Sequence, residues 1–169
     1  AVSDGESDSK VLFIFRRSYR AHPRSKGASR MIKNEQEILR AARKIHGAQV
    51  EWVALEELTM REQLQRVLGS KVVVGIHGAG LSHLIFAAAA AFSSDIDGKW
   101  HQPSPITLVE LFPTSFQARR HFDYFSRWAG IRHLEVVFPE GGKKTDIVIP
   151  VNPVMEKVKA ALELSNHHG

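Results

Sequence analysis

The chain has 169 residues, 43 % hydrophobic and 24 % charged, the size and composition of one globular domain with a substantial core. It contains no cysteine, which excludes disulfide and thiol chemistry, and no apolar run approaches the roughly eighteen residues that a membrane-spanning helix needs. The net charge of +5 is unevenly spread: Arg16, Arg17, Arg20, Arg24, Lys26, Arg30 and Lys33 follow one another with no acidic residue among them, the mark of an anionic partner or of a well-solvated loop.

Residues 1–9 read as a flexible polar leader, 10–165 as one domain, and 166–169 as a tail. Val11 to Phe15 is an apolar run of the kind that forms a central parallel strand. After the basic loop, Asn34 with Glu37 three residues on predicts a capped helix. Ile38, Leu39, Ala42 and Ile45 continue it at helical spacing, and Gly47 stops it. Gln49 to Ala54 predicts a second strand through Val50, Trp52 and Val53. Thr59 and Glu62 form a capping box that opens a helix ending at Gly69. Val72 to Ile76 is the third strand, and it runs into His77, Gly78, Ala79 and Gly80 before a helix of about ten residues.

The polar stretch from Ser93 to Pro105 predicts an exposed loop. Ile106 to Pro113 is a fourth strand, Gln117 to Ala129 a helix closed by Gly130, and His133 to Phe138 a fifth strand. Asp146 to Ile149 is extended, and a final helix is capped at Asn152 and Pro153, with Val154, Val158, Ala161 and Leu162 inward. Strand and helix alternate throughout. The expected fold is therefore α/β: a Rossmann-like parallel sheet with helices on both faces.

In such a sheet the loops at the carboxyl ends of the strands share one side. The basic loop after the first strand, the glycine turn after the third and Glu110 on the fourth should converge there. A helix starting near Gly80 would aim N–H groups and its positive dipole end into the turn, ready for an anion. Guanidinium groups match phosphate oxygens, and a carboxylate can accept hydrogen bonds from a ribose. A nucleotide with a diphosphate would use all three. No metal site is expected: Asp95 and Asp97 have D-x-D spacing but fall in the exposed loop, and the histidines form no pair at metal-ligand spacing.

These residues carry a resemblance. Arg16 and Arg17, then Arg30-Met-Ile-Lys-Asn-Glu35, then Val74-Gly-Ile-His-Gly-Ala-Gly-Leu81, then Val109-Glu-Leu-Phe-Pro113 are similar in order and spacing to the family 61 glycosyltransferases. The resemblance spans roughly residues 10 to 135, and the glycine turn is its most specific part. It implies one lobe of the two-lobed GT-B architecture, the C-terminal donor-binding one. That lobe would serve an inverting enzyme transferring a sugar such as N-acetylglucosamine, xylose or arabinose from UDP to a glycan or protein acceptor.

Carried over by residue, the resemblance implies that Arg17 (or Arg16) and Arg30 neutralise the diphosphate, and that Asn34 and Glu35 support the loop or touch the donor. His77, with the amides of Gly78, Ala79, Gly80 and Leu81, would line the phosphate and sugar subsite, and Glu110 would hold the ribose. No metal or other cofactor is implied beyond the UDP-sugar itself. The catalytic base is expected on an N-terminal lobe, and the compartment implied for a eukaryotic secretory-pathway member is the Golgi or endoplasmic reticulum lumen. Ser82 and His83 depart from the family's usual Thr-Asn. The competing reading is a polyanion-binding or nucleic-acid-binding module that uses the Arg16 to Lys33 loop without catalysis. It lacks the interleaved aromatics such a surface usually has, only Tyr19 being present.

Overall fold

The structure, a computed structural model, describes residues 9–17, 31–87, 106–114, 121–139 and 147–166. Arg30, the loop with Asp95 and Asp97, residues 117–120 of the expected helix, residues 1–8 of the leader and 167–169 of the tail lie outside the described residues, while Ser9 opens the first strand and Asn166 closes the last helix. Five strands form one wholly parallel sheet: β1 (Ser9–Phe15), β2 (Ala48–Ala54), β3 (Val72–Ile76), β4 (Thr107–Pro113) and β5 (Arg132–Phe138), in the order β2-β1-β3-β4-β5. The expected doubly wound α/β fold is therefore what the chain forms. Four α-helices lie wholly within the described residues: α1 (Glu35–Ala42), α2 (Met60–Leu68), α3 (His121–Ala129) and α4 (Val151–Asn166).

The central strands are apolar on both faces because helices cover both. Val11, Phe13, Phe15, Val74, Val109 and Leu111 pack with Ile38 and Leu39 of α1 and Val154 and Val158 of α4. The alternate residues Leu12, Ile14, Val73 and Leu108 pack on the other face with Val67 of α2, Leu81 and Leu84 after β3, and Phe122 of α3. Glu110 sits in this second set by its place in the strand, a charged residue in an apolar series.

Two elements differ from expectation. Helix α1 ends at Ala42, and the chain reaches Ile45 through tight bonds, Lys44 N–H to Ala41 O and Ile45 N–H to Ala42 O. Ile45 still packs on the core, but from a turn. The helix expected after the glycine turn opens as a 3-10 helix, Ala79–Leu84, and becomes α-helical at residues 85–87, where the described residues end. Such a coil brings Leu81 and Leu84, three residues apart, onto one side, where both are buried under the sheet.

Candidate functional site

The chain leaves β1 and β3 toward opposite faces of the sheet, β1 into α1 and β3 into the 3-10 turn that packs with α2. The carboxyl ends of these two strands are the sheet's topological switch point, the crevice position at which open α/β sheets take their ligands. Arg16 and Arg17 lie just past β1 and His77 just past β3.

The two arginines part company. Arg16 turns into the crevice, where its Nη2 donates to the backbone oxygen of His77 at 3.3 Å. Its guanidinium lies against Gly78, so close that a Cβ there would collide with Nη2. Gly78 also has φ 149°, a conformation that side chains rarely adopt. Arg17 instead crosses to the start of α1. Its Nη1 donates to both carboxylate oxygens of Glu35 at 2.9 Å, its guanidinium carbon stands 4.8 Å from the Trp52 ring centroid, and its backbone N–H meets Glu56. Arg16, rather than the first-named Arg17, is thus the cation at the glycine turn.

Asn34 and Glu35 both have supporting jobs. Residues 31–33 run parallel to Ile147, with Ile147 N–H bonded to Met31 O and Lys33 N–H to Ile147 O. The Asn34 side chain extends this ladder by one rung: Nδ2 donates to Ile149 O at 2.8 Å and Oδ1 accepts from Ile149 N–H at 3.0 Å. It makes no side-chain cap to α1. Glu35 is the anchor of Arg17.

His77 is 6 % exposed and Glu110 1 %. The Nδ1 of His77 lies 2.5 Å from Glu110 Oε1, and the Nε2 of His133 lies 2.8 Å from Glu110 Oε2. Each oxygen of the Glu110 carboxylate is thus met by one imidazole nitrogen. Phe112 and Phe122 meet the His77 ring edge-on, and His121 stacks on it at 6.3 Å. Glu110 thus does not sit as a ribose carboxylate was expected to sit. Both its oxygens are taken, and it is closed in beneath α3. Leu81 likewise serves the core: its N–H bonds Gly78 O at 3.0 Å and its side chain presses on Gly75. Gly80 lines the turn but has room for a methyl group, with ordinary contacts to Leu55 and Ile14.

His133 was missed in the sequence. In β5 it alternates with Leu134, and Leu108 is its register partner, so it lies on the same face as Glu110. That alternation was the available signal. Glu110, His133 and Glu135 bring one potential ligand atom each within 4.8 Å of one another, although Glu110 and His133 already satisfy each other directly.

A family model described as Glycosyltransferase 61 matches residues 3–91, more than half of the chain. The chain belongs to this family. The match takes in Arg16, Arg17, Asn34, Glu35 and the whole glycine turn, while Glu110 and His133 lie beyond it. Among curated relatives, the beta-1,2-xylosyltransferase of Arabidopsis thaliana is 29 % identical over 150 residues, covering 78 % of this chain and 24 % of that protein. The beta-1,2-xylosyltransferase RCN11 of Oryza sativa subsp. japonica is 28 % identical over 153 residues, covering 86 % of this chain and 26 % of that one. The chain spans about a quarter of the length of these relatives. A flavodiiron core from Synechocystis sp. PCC6803 covers 95 % of the chain at 13 % identity and a TM-score of 0.49, and nothing rests on that likeness.

Proposed function

We propose that this chain is the nucleotide-sugar donor lobe of a two-lobed, inverting family 61 glycosyltransferase. The observation that carries the reading is the seating of the Arg16 guanidinium against the Gly78 turn, beside His77, at the β1/β3 crevice. A cation, a glycine turn with close backbone approach and a buried imidazole are what a UDP diphosphate needs from a protein. Fixed positive charge there also stabilises the charge that develops on the leaving diphosphate, which can do the work of a metal. Arg30 is proposed as a second phosphate cation.

The names of the relatives favour xylose as the sugar; a glycan or protein acceptor and the secretory pathway as the compartment are proposed with the donor-lobe reading. An N-terminal lobe carrying the base that deprotonates the acceptor completes the scheme. No helix among the described residues is long and apolar enough to cross a membrane.

Calorimetric titration with UDP, UDP-xylose and UDP-N-acetylglucosamine at two salt concentrations tests the reading. UDP should bind at both, and Arg16→Ala should weaken it by roughly 10–100-fold, since a hydrogen bond to a charged group contributes about 1.5–3 kcal/mol. A short oligonucleotide that binds with a steep salt slope, where UDP does not bind, would overturn it in favour of a polyanion module.

A further inference from the structure

We propose that Arg17 is a positioning residue for the donor site. It clamps the peptide group that joins it to Arg16, and so aims the Arg16 guanidinium at the glycine turn. The proposal rests on the donor-lobe reading for the ligand that Arg16 meets, while its geometry stands apart from that reading.

The clamp closes on one peptide group from both ends. The Arg17 N–H donates to the Glu56 carboxylate, and Arg17 Nη1 donates back to the Arg16 carbonyl oxygen at 3.4 Å. These are the two polar ends of the same planar unit, which therefore cannot turn without losing a bond. Its plane sets the last backbone torsion of Arg16. The Arg17 guanidinium is itself held, by both oxygens of Glu35 at 2.9 Å and by the Trp52 ring, whose centroid lies 4.8 Å from its central carbon. Trp52 in turn meets Phe15, the residue before Arg16, with ring centroids 6.3 Å apart. The holding groups come from three places: Glu35 opens α1, Trp52 belongs to β2, and Glu56 lies in the 3-10 turn Leu55–Glu57 that follows β2.

Strand alternation explains how holding one arginine directs the other. Successive side chains leave an extended chain on opposite faces. Phe15 packs on the face that α1 covers and Ile14 on the other. Carried past the end of β1, the same alternation puts Arg17 on the α1 side and Arg16 on the side of the glycine turn, where the two guanidinium groups are found. A guanidinium suits the task because its planar fork can stack on a ring while it bonds a carboxylate and a carbonyl, which an ammonium cannot do at once. Glu35 also balances the charge of Arg17, so what Arg17 gives the site is placement rather than charge.

The test removes the ion pair at constant net charge, with Arg17→Gln and Glu35→Gln together. The Gly78 N–H belongs to the same peptide group as the His77 oxygen that Arg16 bonds, so its magnetic resonance signal in the ligand-free chain reports whether the guanidinium is in place. Arg16→Ala marks where that signal goes when the guanidinium is lost. The pair variant should move it the same way and should bind UDP at least about fivefold more weakly. Adding Arg16→Ala to the pair variant should then weaken binding by less than about twofold more, because losses that act through one group do not add. Arg17→Lys should fall between the unaltered chain and the pair variant. Melting curves confirm that each variant is folded, and should the pair variant fail to fold, Arg17→Lys decides in its place. A folded variant of either kind whose Gly78 signal stays where it was would overturn the proposal. So would UDP losses that multiply between the pair variant and Arg16→Ala, as a direct contact from Arg17 to the diphosphate would give. A chain whose Gly78 signal moves as expected but which never binds UDP would leave the positioning role standing and overturn the donor reading.

Discussion

At the scale of single residues, the two glycines flanking Ala79 make opposite demands. Gly78 has φ 149° and the Arg16 guanidinium against its backbone, so Gly78→Ala strains the turn and expels the arginine. Thermal unfolding should show a loss of about 1–3 kcal/mol, with UDP affinity falling as in Arg16→Ala. Gly80 meets nothing closer than 3.6 Å, so Gly80→Ala should change stability by less than about 1 kcal/mol and leave UDP binding intact. Gly75 is a third case. A methyl there would come within 2.7 Å of the buried Leu81 side chain, and overpacking of that kind costs about 1–3 kcal/mol. The glycine pattern was plain in the sequence, but which glycine is indispensable depended on where Arg16 came to rest.

At the scale of elements, Asn34 binds the start of α1 to the strand-like segment before α4. Asn34→Ala leaves the N–H and C=O of Ile149 without these partners, and a denaturant titration should register about 1–3 kcal/mol for each. The sequence showed an Asx residue before a helix and read it as a cap. Its amide donates to the Glu37 carboxylate at 3.3 Å but caps no helix N–H, and its closest bond is to Ile149, 115 positions away, a pairing that no local pattern displays. The Thr59 cap is local and was legible: its hydroxyl and backbone and the Glu62 carboxylate bond reciprocally, as the capping box predicts. Those bonds from the Thr59 side chain and backbone hold the Glu62 carboxyl below its ordinary value. Glu51 joins β2 to β1 and α2; burial alone would raise its carboxyl, but Lys10 and Arg66 together outweigh that and hold it low. A carboxylate with a lowered folded value adds stability above its unfolded value, and that share is lost as acid protonates it. Glu51→Gln should therefore flatten part of the acid limb of the stability curve. At neutral pH it should cost no more than about 1 kcal/mol, as exposed pairs do.

At the scale of the whole molecule, the parallel order β2-β1-β3-β4-β5 puts every strand's carboxyl end on one side and reverses direction between β1 and β3. Adding UDP should shift the backbone amide signals of Arg16, Arg17 and His77 to Gly80. Those at the opposite edge, Lys10, Val72 and Thr107, should stay put. A shift map centred on the amino ends of the strands would move the site away from this crevice. The chain spans about a quarter of the length of its curated relatives, and on the proposed reading the other wall of a sugar-transfer site belongs to a second lobe. On the proposed reading, UDP binding should be measurable in this chain, while transfer to an acceptor should require that wall.

The sequence by itself determined the α/β alternation, the strands, the glycine turn and the family, because apolar period, capping pairs and short glycine motifs act over a few neighbouring residues. Only the tertiary structure decided which arginine faces the turn, that Asn34 completes a distant ladder, and that Glu110 is clamped between His77 and His133. Those outcomes depend on register between strands far apart in the chain and on which face of the sheet each side chain takes. A buried carboxylate in an apolar strand announces that it needs partners. The partners are chosen by the fold.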